Sequence, residues 1–141
     1  MKTLSDIQKL NAVMDIIKKD MSYDYTFRAG TQSCHLQNIN EGIGVCVDIS
    51  LLTLYLCDEI GLKEPGVAGV NIDLGHYFNF VDIDGVRTYF DPTGVITANA
   101  RYTSTDPIEF IKSGFGKYGW GTTYTIQIWD GTSGAIYGAK N

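Results

Sequence analysis

Gly44-Val45-Cys46-Val47-Asp48 opens a stretch that continues through Leu51, Leu52, Leu54 and Leu56 and closes on Ile60-Gly61-Leu62. The Gly42–Gly44 turn predicts the start of a helix that runs to about Ile60, and Gly61 is a natural C-terminal stop. With Val47 among its leucines the helix is apolar on most sides, so it is expected at the centre of the fold. Cys46 falls at its first turn. A helix N-terminus carries about half a positive charge, which favours thiolate, the nucleophilic form. Set against this, an isolated cysteine at a helix start is more often a small buried hydrophobe.

A second stretch changes that balance. His76–Ile83 and Val86–Phe90 flank Asp84-Gly85, which predicts a tight hairpin. Pairing across that turn sets Phe78 opposite Asp91. His76 lies two residues before Phe78 and points to the same face. Diagonal neighbours on antiparallel strands are ~7–8 Å apart, within side-chain reach. An imidazole and a carboxylate therefore meet, with Phe78, Phe80 and Tyr89 around them. The carboxylate can fix the ring's tautomer and support its cation, although a structural His–Asp pair at a sheet end is common. Packing of the central helix on this face is what would bring Cys46 to His76.

Outside these stretches, residues 4–19 predict an amphipathic helix through Ile7, Leu10, Met14 and Ile17, with Ser5 and Gln8 placed for a capping box. Residues 21–43 read as irregular and polar, with a short strand at Tyr23–Phe27. Val67–Ile72 predicts a strand and 91–105 a polar loop. Asp106-Pro107 reads as N-cap and first position of a helix to Lys112. A glycine and aromatic loop is expected at Gly114–Gly121. Thr122–Trp129 and Thr132–Tyr137 predict a second hairpin about Asp130-Gly131. Helices followed by mostly antiparallel strands make an α+β pattern. A chain of 141 residues without repeat or linker is expected to form one domain, 1–141.

Composition narrows the function. Hydrophobic residues make up 44% and charged residues 19%, as in a globular domain, and the net charge is −5. Nucleic-acid binding needs a basic patch, and the largest basic cluster is Lys18-Lys19, so neither nucleic acid nor an anionic membrane is an expected partner. No run approaches the ~18 apolar residues of a membrane span. Asp6, Asp15, Lys18, Lys19 and Asp20 break any signal-peptide core, and the compartment stays open. Three cysteines leave at least one thiol free if no partner chain intervenes. Cys46 and Cys57, on one helix, are about 16 Å apart, too far for a disulfide. Cys46 is therefore free or paired with Cys34.

The block Gly44-Val45-Cys46-Val47-Asp48 with its leucines and Ile60-Gly61-Leu62 resembles the nucleophile helix of transglutaminase-like domains. Gly75-His76-Tyr77-Phe78-Asn79-Phe80-Val81-Asp82-Ile83-Asp84-Gly85 resembles their histidine strand and turn, and Tyr89-Phe90-Asp91-Pro92-Thr93 their aspartate strand. The three blocks stand in the family's order and cover residues 44–94. The resemblance implies a papain-like, transglutaminase-like core, with the nucleophile at the N-terminus of a central helix packed on an antiparallel sheet. It implies Cys46 as nucleophile, His76 as base and Asp91 as the residue orienting it. The expected reaction is amide acyl transfer or hydrolysis through a thioester, on a protein or peptide substrate, as in a peptidase, deamidase or transglutaminase. No metal or organic cofactor is implied for the triad, though some members use calcium.

Such chemistry needs an oxyanion hole. The Cys46 N–H is one donor; Asn40, then Gln37, are candidates for the second, each equally readable as a loop amide capping its own turn. Cys34-His35 with Cys46 and His76 is poor zinc-ligand spacing, and Gly42-x-Gly44 lacks the rest of a phosphate loop. Phe115, Tyr118 and Trp120 are expected to pack rather than line a groove, and Cys57 to be core. Two further functions stand beside the enzyme: an inactive binding module of the same fold, and an effector or toxin domain using the same chemistry. The intact Cys, His and Asp favour catalysis.

Overall fold

The computed structural model describes residues 3–26, 35–71, 76–118, 123–129 and 134–140. Helix α1 (Asp6–Asp20) starts from the expected capping box: Ser5 Oγ accepts from the Gln8 N–H at 3.3 Å and Gln8 Oε1 accepts from the Ser5 N–H at 2.9 Å. A two-residue strand, β1 (Ser22–Tyr23), pairs in parallel with β2 (Ile43–Gly44), and between them in sequence stands α2 (His35–Glu41). That helix was not expected in the polar stretch 21–43. The expected Tyr23–Phe27 strand shortens to β1, with residues 27–34 outside those described. Central helix α3 (Cys46–Glu59) ends on Ile60, and Gly61 follows with φ +88°, where a glycine is needed.

Among the described residues the main sheet has six strands in the order β6-β5-β4-β3-β7-β8, all antiparallel. They are β3 (Lys63–Asn71), β4 (His76–Ile83), β5 (Val86–Phe90), β6 (Thr103–Ser104), β7 (Thr123–Trp129) and β8 (Gly134–Lys140). The β4–β5 turn has Asp84 at φ +52° and Gly85 at φ +84°, the paired positive angles of a type I′ turn. Asn79 faces Phe90 and Asp82 faces Arg87, which is the expected register. Strand β3 begins earlier than expected, behind an irregularity between Lys63 and Gly66. Strand β8 lies later than expected, and the turn at 130–133 is outside the described residues.

The expected loop 91–105 instead holds α4 (Pro92–Ala98) and β6. Asp91 caps α4, its Oδ1 accepting from the Thr93 N–H at 3.1 Å, and Pro92 takes the first helical position. That is the same signal as Asp106-Pro107. Asn99, left-handed at φ +50°, closes the helix. Helix α5 (Pro107–Tyr118) runs six residues past Lys112, so the expected Gly114–Gly121 loop is helical at its start. The side chains of Phe115, Tyr118 and Trp120 lie outside the described set.

Helices cover both faces of the sheet. On one face Leu10, Val13, Met14 and Ile17 of α1 pack with Ile49 and Cys57 of α3, Val81, Phe90 and Val95. On the other, Phe78, Tyr89 and Phe110 pack together, with Phe78–Phe110 ring centroids 5.2 Å apart. Helix α3 therefore lies against the Asn79 and Val81 face, not the His76, Phe78 and Phe80 face expected from sequence. Asn79 fixes it there: its Nδ2 donates to the carbonyls of Ser50 (3.0 Å) and Gly66 (3.1 Å). Both acceptors are buried main-chain groups that would otherwise lose a partner.

Candidate active site

The site forms where several elements begin. The β1–β2 ladder aligns the chain entering α3: Ser22 N–H donates to Gly42 O and Asp24 N–H to Gly44 O, each at 2.8 Å. A Cβ on Gly44 would lie 2.7 Å from the Cβ of Asp48, so only glycine fits this turn. Cys46 is then the first residue of α3, half-buried and free. Its N–H belongs to the first helical turn, which has no intrahelical acceptor. His76 is the first residue of β4 and 4% exposed. Two residues that each start an element meet at the end of the sheet. Cys46 acts on His76 there although α3 covers the other face of the sheet from the one expected.

His76 Nε2 is 2.9 Å from Asp91 Oδ2. Cys46 acts on the same ring by hydrogen bond and charge. Phe78 stacks on the imidazole at 6.5 Å. Asp91 lies just past the end of β5, its two oxygens divided between His76 and the α4 cap. Burial lowers the basicity of His76, but the charge and hydrogen bond of Asp91, followed by those of Cys46, outweigh it. The ring is pushed up to about 10. Asp91 thus supports the ring's protonated form, the form it takes once it has accepted the thiol proton.

Tyr23 is a site residue that sequence reading missed. It pairs with Gly44 across the β1–β2 ladder and packs on the core. Burial first, then the nearby Cys46, Tyr25, Asp24 and Asp91, raise its phenol above the usual value, so it stays a protonated donor. No spacing rule flags a tyrosine in a two-residue strand. The proposed oxyanion residues stand otherwise: Gln37 and Asn40 are both exposed on α2, and Gln37 Nε2 donates to Glu41 Oε1 at 3.1 Å. Their neighbour Asn38 is the buried amide of α2, bonded to Asp48. Cys34, which figured in the zinc and disulfide alternatives, lies outside the described residues. Cys57 is buried in the core as expected, and burial pushes its thiol up to about 12.

No family model and no curated protein matches the chain. Among solved structures, one described as a TGase superposes with a TM-score of 0.54 at 19% identity, covering 74% of this chain and 30% of that one. A proposed cysteine protease from Cytophaga hutchinsonii gives 0.49 at 20% identity, over 93% of this chain and 44% of its own. The chain thus spans less than half the length of either. The likeness is one of architecture, and on it the chain has a transglutaminase-like fold.

Proposed function

We propose that the chain is a thiol-dependent amide hydrolase or acyltransferase, with Cys46 as nucleophile, His76 as base and acid, and Asp91 orienting the ring. The observation that carries this is one buried imidazole with Asp91 Oδ2 2.9 Å from its Nε2 and Cys46 close enough to act on the same ring by hydrogen bond and charge. His76 takes the thiol proton, and the thiolate attacks the amide carbonyl. The C–N bond breaks, the amine leaves with the proton from His76, and the acyl group stays on sulfur as a thioester. Water or a second amine then attacks the thioester, giving its proton to His76, and the C–S bond breaks to regenerate the thiol. The resemblance to a TGase supports the same class of chemistry.

The tetrahedral oxyanion needs donors already in place. The Cys46 N–H is one. For the second, Tyr23 is better placed than Gln37 or Asn40, because both of those side chains are exposed while Tyr23 pairs with Gly44, two residues before Cys46, and is near enough to Cys46 and Asp91 for their charges to raise its phenol.

Hydrolysis is the favoured fate of the thioester. Transfer requires a site that excludes water and holds an amine in near-attack geometry. Cys46 is only half-buried and Asp91 is 30% exposed, so water reaches the thioester. The test incubates the protein with a glutamine-rich acceptor protein and excess biotin-amine and measures ammonia and biotin incorporation together. Free acid formation, read as ammonia released minus biotin incorporated, is expected to exceed incorporation, and both should be lost in Cys46→Ser. Incorporation matching or exceeding free acid formation would refute the preference for hydrolysis. Full turnover in both Cys46→Ser and His76→Ala would refute the mechanism.

A further inference from the structure

Asp48 stands at the third position of α3 and is completely buried. A buried carboxylate needs partners, since an isolated one costs far more than a fold can spare. Three donors converge on it. His35 Nδ1 lies 2.7 Å from Oδ1, Asn38 Nδ2 donates to the same oxygen at 3.2 Å, and the Val45 N–H donates to Oδ2 at 3.0 Å. Two of the donors belong to α2, and the third is the main-chain N–H of Val45, the residue just before Cys46. Val45 is held from both sides, because its carbonyl also accepts the Ile49 N–H at 3.1 Å. The direction in which the chain enters Cys46, and so the aim of its sulfur and its N–H, is set by this carboxylate. Gly44 leaves the space that Asp48 fills.

We infer that His35 and Asp48 form a second imidazole–carboxylate pair that positions Cys46, with His35 as a positioning residue outside the reacting atoms. This rests on the reading of Cys46 as the nucleophile. His35 is 44% exposed, so its ring contributes little to the core. Its Nδ1, however, supplies the shortest of the three bonds to a carboxylate that has no solvent to fall back on. Loss of that donor leaves Oδ1 with Asn38 alone. The Val45–Cys46 turn then loosens, although no residue of the reaction has been changed.

The test is the iodoacetamide alkylation rate of Cys46 at pH 6, followed by mass spectrometry so that each cysteine is read separately, with thermal melting as a control. The wild-type protein is expected to alkylate at Cys46 about tenfold faster than a cysteine peptide at that pH. A helix N-terminus and a neighbouring imidazole both favour the reactive thiolate form. His35→Ala should cut the rate by at least fivefold and lower the melting temperature by a few degrees while the chain stays folded. His35→Asn, whose side-chain amide keeps a donor near the Nδ1 position, should recover it to within twofold. A His35→Ala rate equal to wild type would overturn the inference, and so would an asparagine variant as slow as alanine. Loss of folding in the alanine variant would also overturn it, by making the pair structural. A wild-type rate no faster than the peptide would instead refute Cys46 as nucleophile, and the inference with it.

Discussion

Replacing Asp91 with asparagine separates two jobs that one carboxylate performs. Oδ1 caps α4 through Thr93, and Oδ2 holds His76 Nε2 at 2.9 Å. Asparagine is as good a cap as aspartate, so α4 should be kept; alanine would forfeit about 0.5–2 kcal/mol there. What asparagine removes is the charge. Two unit charges about 4 Å apart interact by roughly 4 kcal/mol at an effective dielectric constant of 20. At about 1.4 kcal/mol per pH unit, that accounts for most of the distance between the ordinary 6.5 and the value of about 10 at His76. The amide also donates to Nε2, which forces the ring proton onto Nδ1, the wrong tautomer for accepting the thiol proton. The chain has only two histidines, His35 and His76, so ring resonances can be followed by NMR against pH. The His76 midpoint should fall by two pH units or more in Asp91→Asn, with turnover reduced by up to ~10⁴, as in the serine-protease analogue. A midpoint that moved by less than half a unit would refute this account of the site's electrostatics.

The raised His76 also predicts a pH dependence of stability. Its contribution is fully present below the unfolded value of 6.5 and is lost as pH rises through about 10. Urea unfolding should therefore show stability falling across that window, with a shallower fall in Asp91→Asn; identical slopes would contradict it. Cys57, buried and pushed up to about 12, should resist iodoacetamide near neutral pH in the folded protein and label only on unfolding, while Cys46 labels first. Native labelling of Cys57 at a rate comparable with Cys46 would overturn that order. Tyr23→Phe should lower kcat by about 10²–10³, the cost of one oxyanion donor, with KM little changed. An unaltered kcat would return the second donor to another group.

How far the sequence reaches follows from the range of each signal. The α1 capping box, the Asp84-Gly85 turn with its register, and the span of α3 are local: each depends on residues a few positions apart, and each reads as the structure has it. Asp91-Pro92 carried the same local signal as Asp106-Pro107. Reading 91–105 as a loop therefore missed α4 despite a legible sequence. Helix α2 is different. Its seven residues carry no apolar stripe, and it is held by bonds from His35 and Asn38 to Asp48, thirteen and ten residues away respectively, which no periodicity records.

The order of Cys46, His76 and Asp91 was legible because each starts or ends an element with a clear local signature. Their meeting was not. It depends on α3 lying across the sheet, on the Asn79 amide that ties it to β3 and β4, and on a β1–β2 ladder joining residues some twenty positions apart. Local propensity determined which elements form and which residues stand at their ends. Long-range burial and hydrogen bonding, which couple residues without regard to spacing, decided that Tyr23 joins the site, that Gln37 and Asn40 face outward, and that a buried Asp48 holds the turn before Cys46.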